Sequence, residues 1–125
     1  MKNFVLIVDD SKVIRSSAEF ALTEAGFNVA TAEHGFDGIK KIKEINGNND
    51  VLSMVITDVN MPQMDGITFL RIVKKSFCKD IPVLVMTTET QDSLKTEGKE
   101  AGAVGWLTKP FAPEQLVSVV KQFVK

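Results

Sequence analysis

The chain has 125 residues, 44% hydrophobic and 25% charged, with a net charge of −1, the size and balance of one globular domain that buries roughly two-thirds of its unfolded surface. So small a charge excludes a basic field for nucleic acid or anionic lipid, and the single cysteine, Cys78, excludes an internal disulfide and fits a reducing compartment. No apolar run approaches the ~20 residues needed to span a membrane, and Met1 to Val8 passes straight into a strand-like run, unlike a signal peptide. A cytoplasmic, single-domain protein spanning residues 1–125, monomeric and without an output domain, is expected.

Short apolar runs alternate with segments of helical period. Phe4 to Val8 predicts a first strand, ended by Asp9-Asp10-Ser11. Ile14, Ala18, Ala21 and Ala25 then recur at three- and four-residue spacing, closed by Gly26 as a C-cap. Phe27 to Ala32 reads as a second strand. Phe36, Ile39, Ile42 and Ile45 mark a helix that fades into the turn-rich Asn46-Gly47-Asn48-Asn49-Asp50. Val51 to Thr57 is a third strand, broken by Asp58. Gly66 to Phe77 carries Phe69, Leu70, Val73 and Phe77 on one helical face. Pro82 to Met86 and Val104 to Thr108 are the fourth and fifth strands, with a helix over Gln91 to Gly102 between them. The last helix sets Leu116, Val117, Val120, Phe123 and Val124 on one stripe, with Pro113 near its first turn. Five strand–helix pairs in strict alternation predict an α/β fold, a parallel sheet covered by helices on both faces.

In open sheets of this kind, function collects outside the carboxyl ends of the strands. Strand one ends in Asp9 and Asp10, strand three in Asp58, strand four in Thr87 and Thr88, strand five in Lys109. Three carboxylates, two hydroxyls and an amine would therefore meet at one edge. Two carboxylates ~5 Å apart repel by roughly 3 kcal/mol at an effective dielectric near 20. Such a cluster protonates, splays apart or holds a cation, and hard oxygen ligands with room for water suit Mg²⁺. A carboxylate beside a metal and a lysine can also act as a nucleophile and form an acyl phosphate. Each residue has a blander reading: Asp9 or Asp10 as a helix cap, Asp58 as a turn former, Thr87 as a strand residue, Lys109 as an edge charge. All of them together at one end of successive strands is a much stronger pattern.

The ordered set is Asp9-Asp10, Asp58 with Met61-Pro62 and Met64-Asp65-Gly66, Thr87, and Lys109-Pro110-Phe111. With it the chain resembles the receiver domains of two-component response regulators along essentially its whole length. The resemblance implies a three-layer (βα)5 doubly wound sheet with strand order 2-1-3-4-5. It implies that Asp58 is the phosphoacceptor, served by a sensor histidine kinase through a phosphohistidine. Asp9, Asp10 and Asp58, with the backbone carbonyl of Asn60, would hold Mg²⁺. Thr87 would be the switch hydroxyl, Lys109 the lysine that contacts the phosphoryl group, and the bond before Pro110 would be cis. Such a domain catalyses only its own phosphorylation and dephosphorylation.

Trp106 stands where receivers often carry Tyr or Phe, a ring that turns inward on activation. Trp is larger, and its N–H wants a partner when buried. The segment Gln91 to Gly102 has Leu94 as its one large apolar residue and Gly98 in its middle, which marks a weakly anchored helix. This helix, Trp106 and the last helix are expected to form the adjustable partner-binding face. Asn60 and Glu89 flank the route of attacking water in the family and are similar to those of chemotaxis receivers with short-lived phosphorylation. Thr87-Thr88-Glu89 and Gly105-Trp106 also resemble chemotaxis regulators, which act on a flagellar motor switch protein; a phosphorelay shuttle is the alternative. His34 is expected to be merely solvated and Cys78 a bystander. Two other uses of the fold fit less well. A flavin module needs a phosphate cradle after strand one, where this chain has two acids, and an aspartate-nucleophile phosphatase needs a second acid where Ser11 stands.

Overall fold

Successive residues of the first strand face opposite layers of core, as the pleat of a strand requires. Leu6 and Val8 pack with Ile42, Phe69, Leu70 and Val73, whereas Val5 and Ile7 pack with Ala18, Leu22, Leu116 and Val120. The computed structural model describes residues 2–77, 79–88 and 92–124, with 92–94 described by backbone alone. Cys78, Glu89 and Gln91, and the terminal Met1 and Lys125, lie outside the described residues.

The elements in chain order are β1 (Asn3–Val8), α1 (Lys12–Glu24), β2 (Asn28–Ala32), α2 (Gly35–Gly47), β3 (Val51–Asp58), α3 (Gly66–Ser76), β4 (Val83–Thr87), α4 (Asp92–Ala101), β5 (Gly105–Thr108) and α5 (Pro113–Phe123). All strand pairs are parallel, in the expected order β2-β1-β3-β4-β5. α1 and α5 cover one face of the sheet, and α2 and α3 the other. β4 is buried along its whole length and most of β1 and β3 is buried, whereas no residue of β5, at the sheet edge, is fully buried. Among the described residues no helix is long and apolar enough to cross a membrane.

Local chemistry sets the boundaries. α1 opens on Ser11, whose hydroxyl accepts from the Ile14 amide at 3.3 Å, so neither Asp9 nor Asp10 is the cap. Past its end Gly26 takes φ +97°, a conformation that glycine adopts without strain. α2 opens on His34, whose Nδ1 accepts from the Asp37 amide at 3.2 Å. The histidine expected to be merely solvated is therefore a helix cap. Phe36, expected on the buried stripe of this helix, is 52% exposed. Gly35, Gly38, Ile42 and Ile45 carry that face instead, because its neighbours press close. A Cβ at position 35 would stand 2.5 Å from Met64 Sδ, and one at position 38 would stand 2.8 Å from Phe69 Cζ.

The pairing of β1 with β3 contains one irregularity. Phe4 faces Leu52, but Val5 faces Met54, so Ser53 is an extra residue in β3, a bulge. Beyond it the register runs regularly to Val8 opposite Thr57.

Candidate functional site

The site begins from that register. Since Val8 lies opposite Thr57, the next residue of each chain, Asp9 and Asp58, emerges side by side at the carboxyl edge of the sheet. This is also where strand order reverses, with β2 on one side of β1 and β3 on the other. Thr87 ends β4 and is fully buried. Its carbonyl accepts from the Lys109 amide at 2.8 Å, which ties the residue after β5 to the same edge. The Lys109–Pro110 bond is cis, as expected.

Asp9 is wholly buried, and every side of it is engaged. Oδ1 accepts from the Ser11 amide at 2.8 Å and Oδ2 from Lys109 Nζ at 2.5 Å. Its amide donates to Ala32 at 3.1 Å, and its carbonyl accepts from Arg15 Nη1 at 2.7 Å. Asp58 is 6% exposed, with Oδ1 accepting from the Val59 amide at 2.8 Å and Oδ2 lying 3.4 Å from Lys109 Nζ. Lys109 is thus shared between two carboxylates and sits closer to Asp9. Asp10 is exposed at the rim, and carboxylate oxygens of Asp9, Asp10 and Asp58 lie within 4.8 Å of one another.

Burial holds the Asp58 carboxyl above its ordinary value of 3.8, and the charge of Asp9 adds to this; Lys109 and the Val59 amide act against both. Three carboxyl groups gather around a single lysine at the site, a surplus of acid over base. Such a surplus on hard oxygen atoms calls for a divalent cation, and the donor set fits Mg²⁺.

The structure brings together Asp9, Asp10, Asp58 and Lys109, with Thr87 on the neighbouring strand end. Asn60 is exposed in the turn after β3. Trp106 lies on β5 opposite Val85, packed on the α2–α3 side of the core. Glu89 lies outside the described residues. Two contributors were not foreseen. Arg15 holds the Asp9 carbonyl and pairs with Glu33 at 3.7 Å; a basic residue soon after an acidic pair was the only signal of it. Gly66, seen only as part of a motif, lies so close to Asp58 that a Cβ there would stand 1.9 Å from the Asp58 carbonyl oxygen.

Fold and site together define a doubly wound α/β protein with an acidic, cation-ready pocket and a partly buried lysine at its topological switch point. Residues 5–121 match the family model of the response regulator receiver domain. Protein PilG of Pseudomonas aeruginosa is 35% identical over 121 residues, 96% of this chain and 86% of that protein. The chemotaxis protein CheY4 of Vibrio cholerae has a solved structure that superposes with a TM-score of 0.88 at 38% identity, covering 99% of this chain and 100% of that one. The CheX–CheY–BeF3–Mg²⁺ complex of Borrelia burgdorferi matches with a TM-score of 0.86 at 31% identity, over 98% of this chain and 90% of that one. Several further curated relatives are longer, and the chain spans half of their length or less.

The chain belongs to the response regulator receiver domain family. Receiver domains are signalling switches rather than conventional enzymes. They take phosphoryl groups from histidine kinases, act on output partners and bind Mg²⁺ at an acidic pocket. Among receivers this chain is similar to chemotaxis regulators.

Proposed function

We propose that Asp58 is the phosphoacceptor of a chemotaxis switch, with Asp9, Asp10, Asp58 and the Asn60 carbonyl holding Mg²⁺. The observation that carries this reading is the sharing of Lys109 between Asp9 and Asp58, two buried carboxylates on neighbouring strand ends. Asp9 is fixed on every side, whereas Asp58 keeps Oδ2 only loosely paired, at 3.4 Å. The loosely held oxygen is the one free to attack phosphorus. The new O–P bond forms as the N–P bond of the donor phosphohistidine breaks, and the donor ring, protonated at its other nitrogen, leaves as neutral imidazole. A bound Mg²⁺ would supply charge neutralisation at the phosphoryl oxygens. Lys109 carries a point charge that suits one of those oxygens once Asp58 is esterified. Thr87, on the adjacent strand end, is the hydroxyl to follow them.

The response passes from Thr87 to Trp106, α4 and α5, the face that meets the output protein. Asn60 and Glu89 set how long the phosphoryl group survives. Similarity to the chemotaxis protein CheY4 supports a role in chemotaxis, and the target proposed for it is a flagellar motor switch protein. The protein would work as a cytoplasmic, monomeric receiver. Intact mass after incubation with a small phosphodonor and Mg²⁺ tests the chemistry. One added phosphoryl group, dependent on metal and absent from Asp58→Asn, is expected; no gain in the parent protein would refute it. Loss of directed swimming on deletion tests the motor assignment, whereas transfer of the phosphoryl group to a second histidine protein would make the chain a relay shuttle.

A further inference from the structure

Gly98 sits in the middle of α4, where glycine weakens a helix. A Cβ there would stand 3.0 Å from Cζ3 and 3.6 Å from Cε3 of Trp106, and 3.3 Å from Cδ1 of Ile67. The benzo end of the indole therefore fills the space that a side chain at position 98 would occupy. At its other end, Trp106 Nε1 is the buried side-chain nitrogen that lacks a hydrogen-bond partner among the described residues. A buried donor without a partner forfeits its hydration, so the ring's seat combines a favourable apolar fit with an unfavourable polar one. Trp106 also borders a cavity of about 250 Å³ shared with Lys95, Lys99 and Val104, so space adjoins the ring.

We infer that Gly98 is a positioning residue for Trp106: the absence of a side chain at 98 makes the hollow that seats the large indole and sets how readily the ring leaves it. This rests on the reading of α4, Trp106 and α5 as the responding face. A smaller aromatic ring lacks the two benzo carbons that meet position 98, so the hollow is matched to tryptophan. Departure of the ring would free the N–H to bond water or an acceptor on the partner. Glycine's weakening of α4 and the unsatisfied indole thus belong to one device.

Trp106 is the only tryptophan of the chain, so its emission reports this one ring. The test compares the parent protein with Gly98→Ala in the absence of phosphodonor, reading emission wavelength and quenching by acrylamide. Emission should move to longer wavelength and quenching should increase in Gly98→Ala. In a Trp106→Phe background the same Gly98→Ala change should raise Tm by about 4 °C, as expected for replacing an interior helix glycine. In the parent background that gain should be lost. Unchanged emission with a rise in Tm in both backgrounds would overturn the inference, leaving Gly98 a mere weak point in a helix. A fall in Tm in both would overturn it too, because the loss would not depend on the indole. These readings do not require phosphorylation, so they stand apart from the phosphoacceptor assignment. An emission change on adding phosphodonor and Mg²⁺, absent in Asp58→Asn, tests the link to the switch; phosphorylation without that change would overturn the switching part.

Discussion

The two ends of the device are built to opposite standards. At the acidic edge, Asp9 is fully buried with each polar atom engaged, and the Cβ of any residue but glycine at 66 would strike the Asp58 carbonyl. At the sheet edge, no residue of β5 is fully buried, Trp106 has a buried donor without a partner among the described residues, and α4 has glycine at its centre. Chemistry on a phosphoryl group needs atoms held to within fractions of an ångström. A signal needs an element whose two arrangements differ by only a few kcal/mol. One small domain meets both needs by spending its packing unevenly.

The sharpest way to break this comparison is to remove the shared cation. Lys109→Met leaves Asp9 and Asp58 buried without their ammonium and should cost about 3 kcal/mol in urea unfolding with chelator present. Millimolar Mg²⁺ should restore part of it, since a ligand of the folded state adds to stability. A loss below about 1 kcal/mol would mean that the acidic edge is not the tightly coupled end. Hydrogen exchange sharpens the comparison directly. Amides of α4 should exchange roughly 100-fold faster than those of β4, about 2.7 kcal/mol in opening free energy. Equal protection would remove the contrast.

The smallest expected effect concerns Asp58 itself. Without metal, Asp58→Asn should stabilise the fold by about 1 kcal/mol, because the cost of burying the charge, with the repulsion of Asp9, outweighs the attraction of Lys109. The pH dependence has a definite sign. Because the folded carboxyl lies above 3.8, the folded state binds this proton more tightly than the unfolded chain does. The contribution of Asp58 is complete below 3.8 and is lost as pH rises through its folded value. Urea midpoints measured over that range should fall more steeply, or rise less, in the parent than in Asp58→Asn. The opposite order would mean that Lys109 outweighs burial.

Much of this was legible in the chain alone, because strands buried on both faces are continuous apolar runs and polar residues mark their carboxyl ends. Asp9, Asp58, Thr87 and Lys109 could be brought to one edge from the strict alternation of strands and helices, with element ends shifted by a residue or two: β4 runs Val83–Thr87 rather than from Pro82, and β3 includes Asp58. What escaped depends on contacts between segments far apart in sequence. Phe36 has the right spacing for a buried stripe, yet Met64 and Phe69 fill that side of α2 and leave glycines there. His34 caps a helix through a ring nitrogen, a role that composition does not signal. The grip of Arg15 on the Asp9 carbonyl needs α1 placed on the sheet before it can be seen.

The extra residue at Ser53 gives the molecule a form of quality control. With a continuous register from Phe4 opposite Leu52, Thr57 would stand beside Asp9, and Asp58 would fall one step farther out. A slip of one residue also turns each later side chain to the other face of the sheet, so Met54 and Ile56 would leave the layer they share with Val5 and Ile7. One miscounted residue would therefore spoil the core and dismantle the acidic pocket together. A misthreaded copy has no means of becoming a faulty messenger: it would be silent, and it would be unstable enough to be cleared.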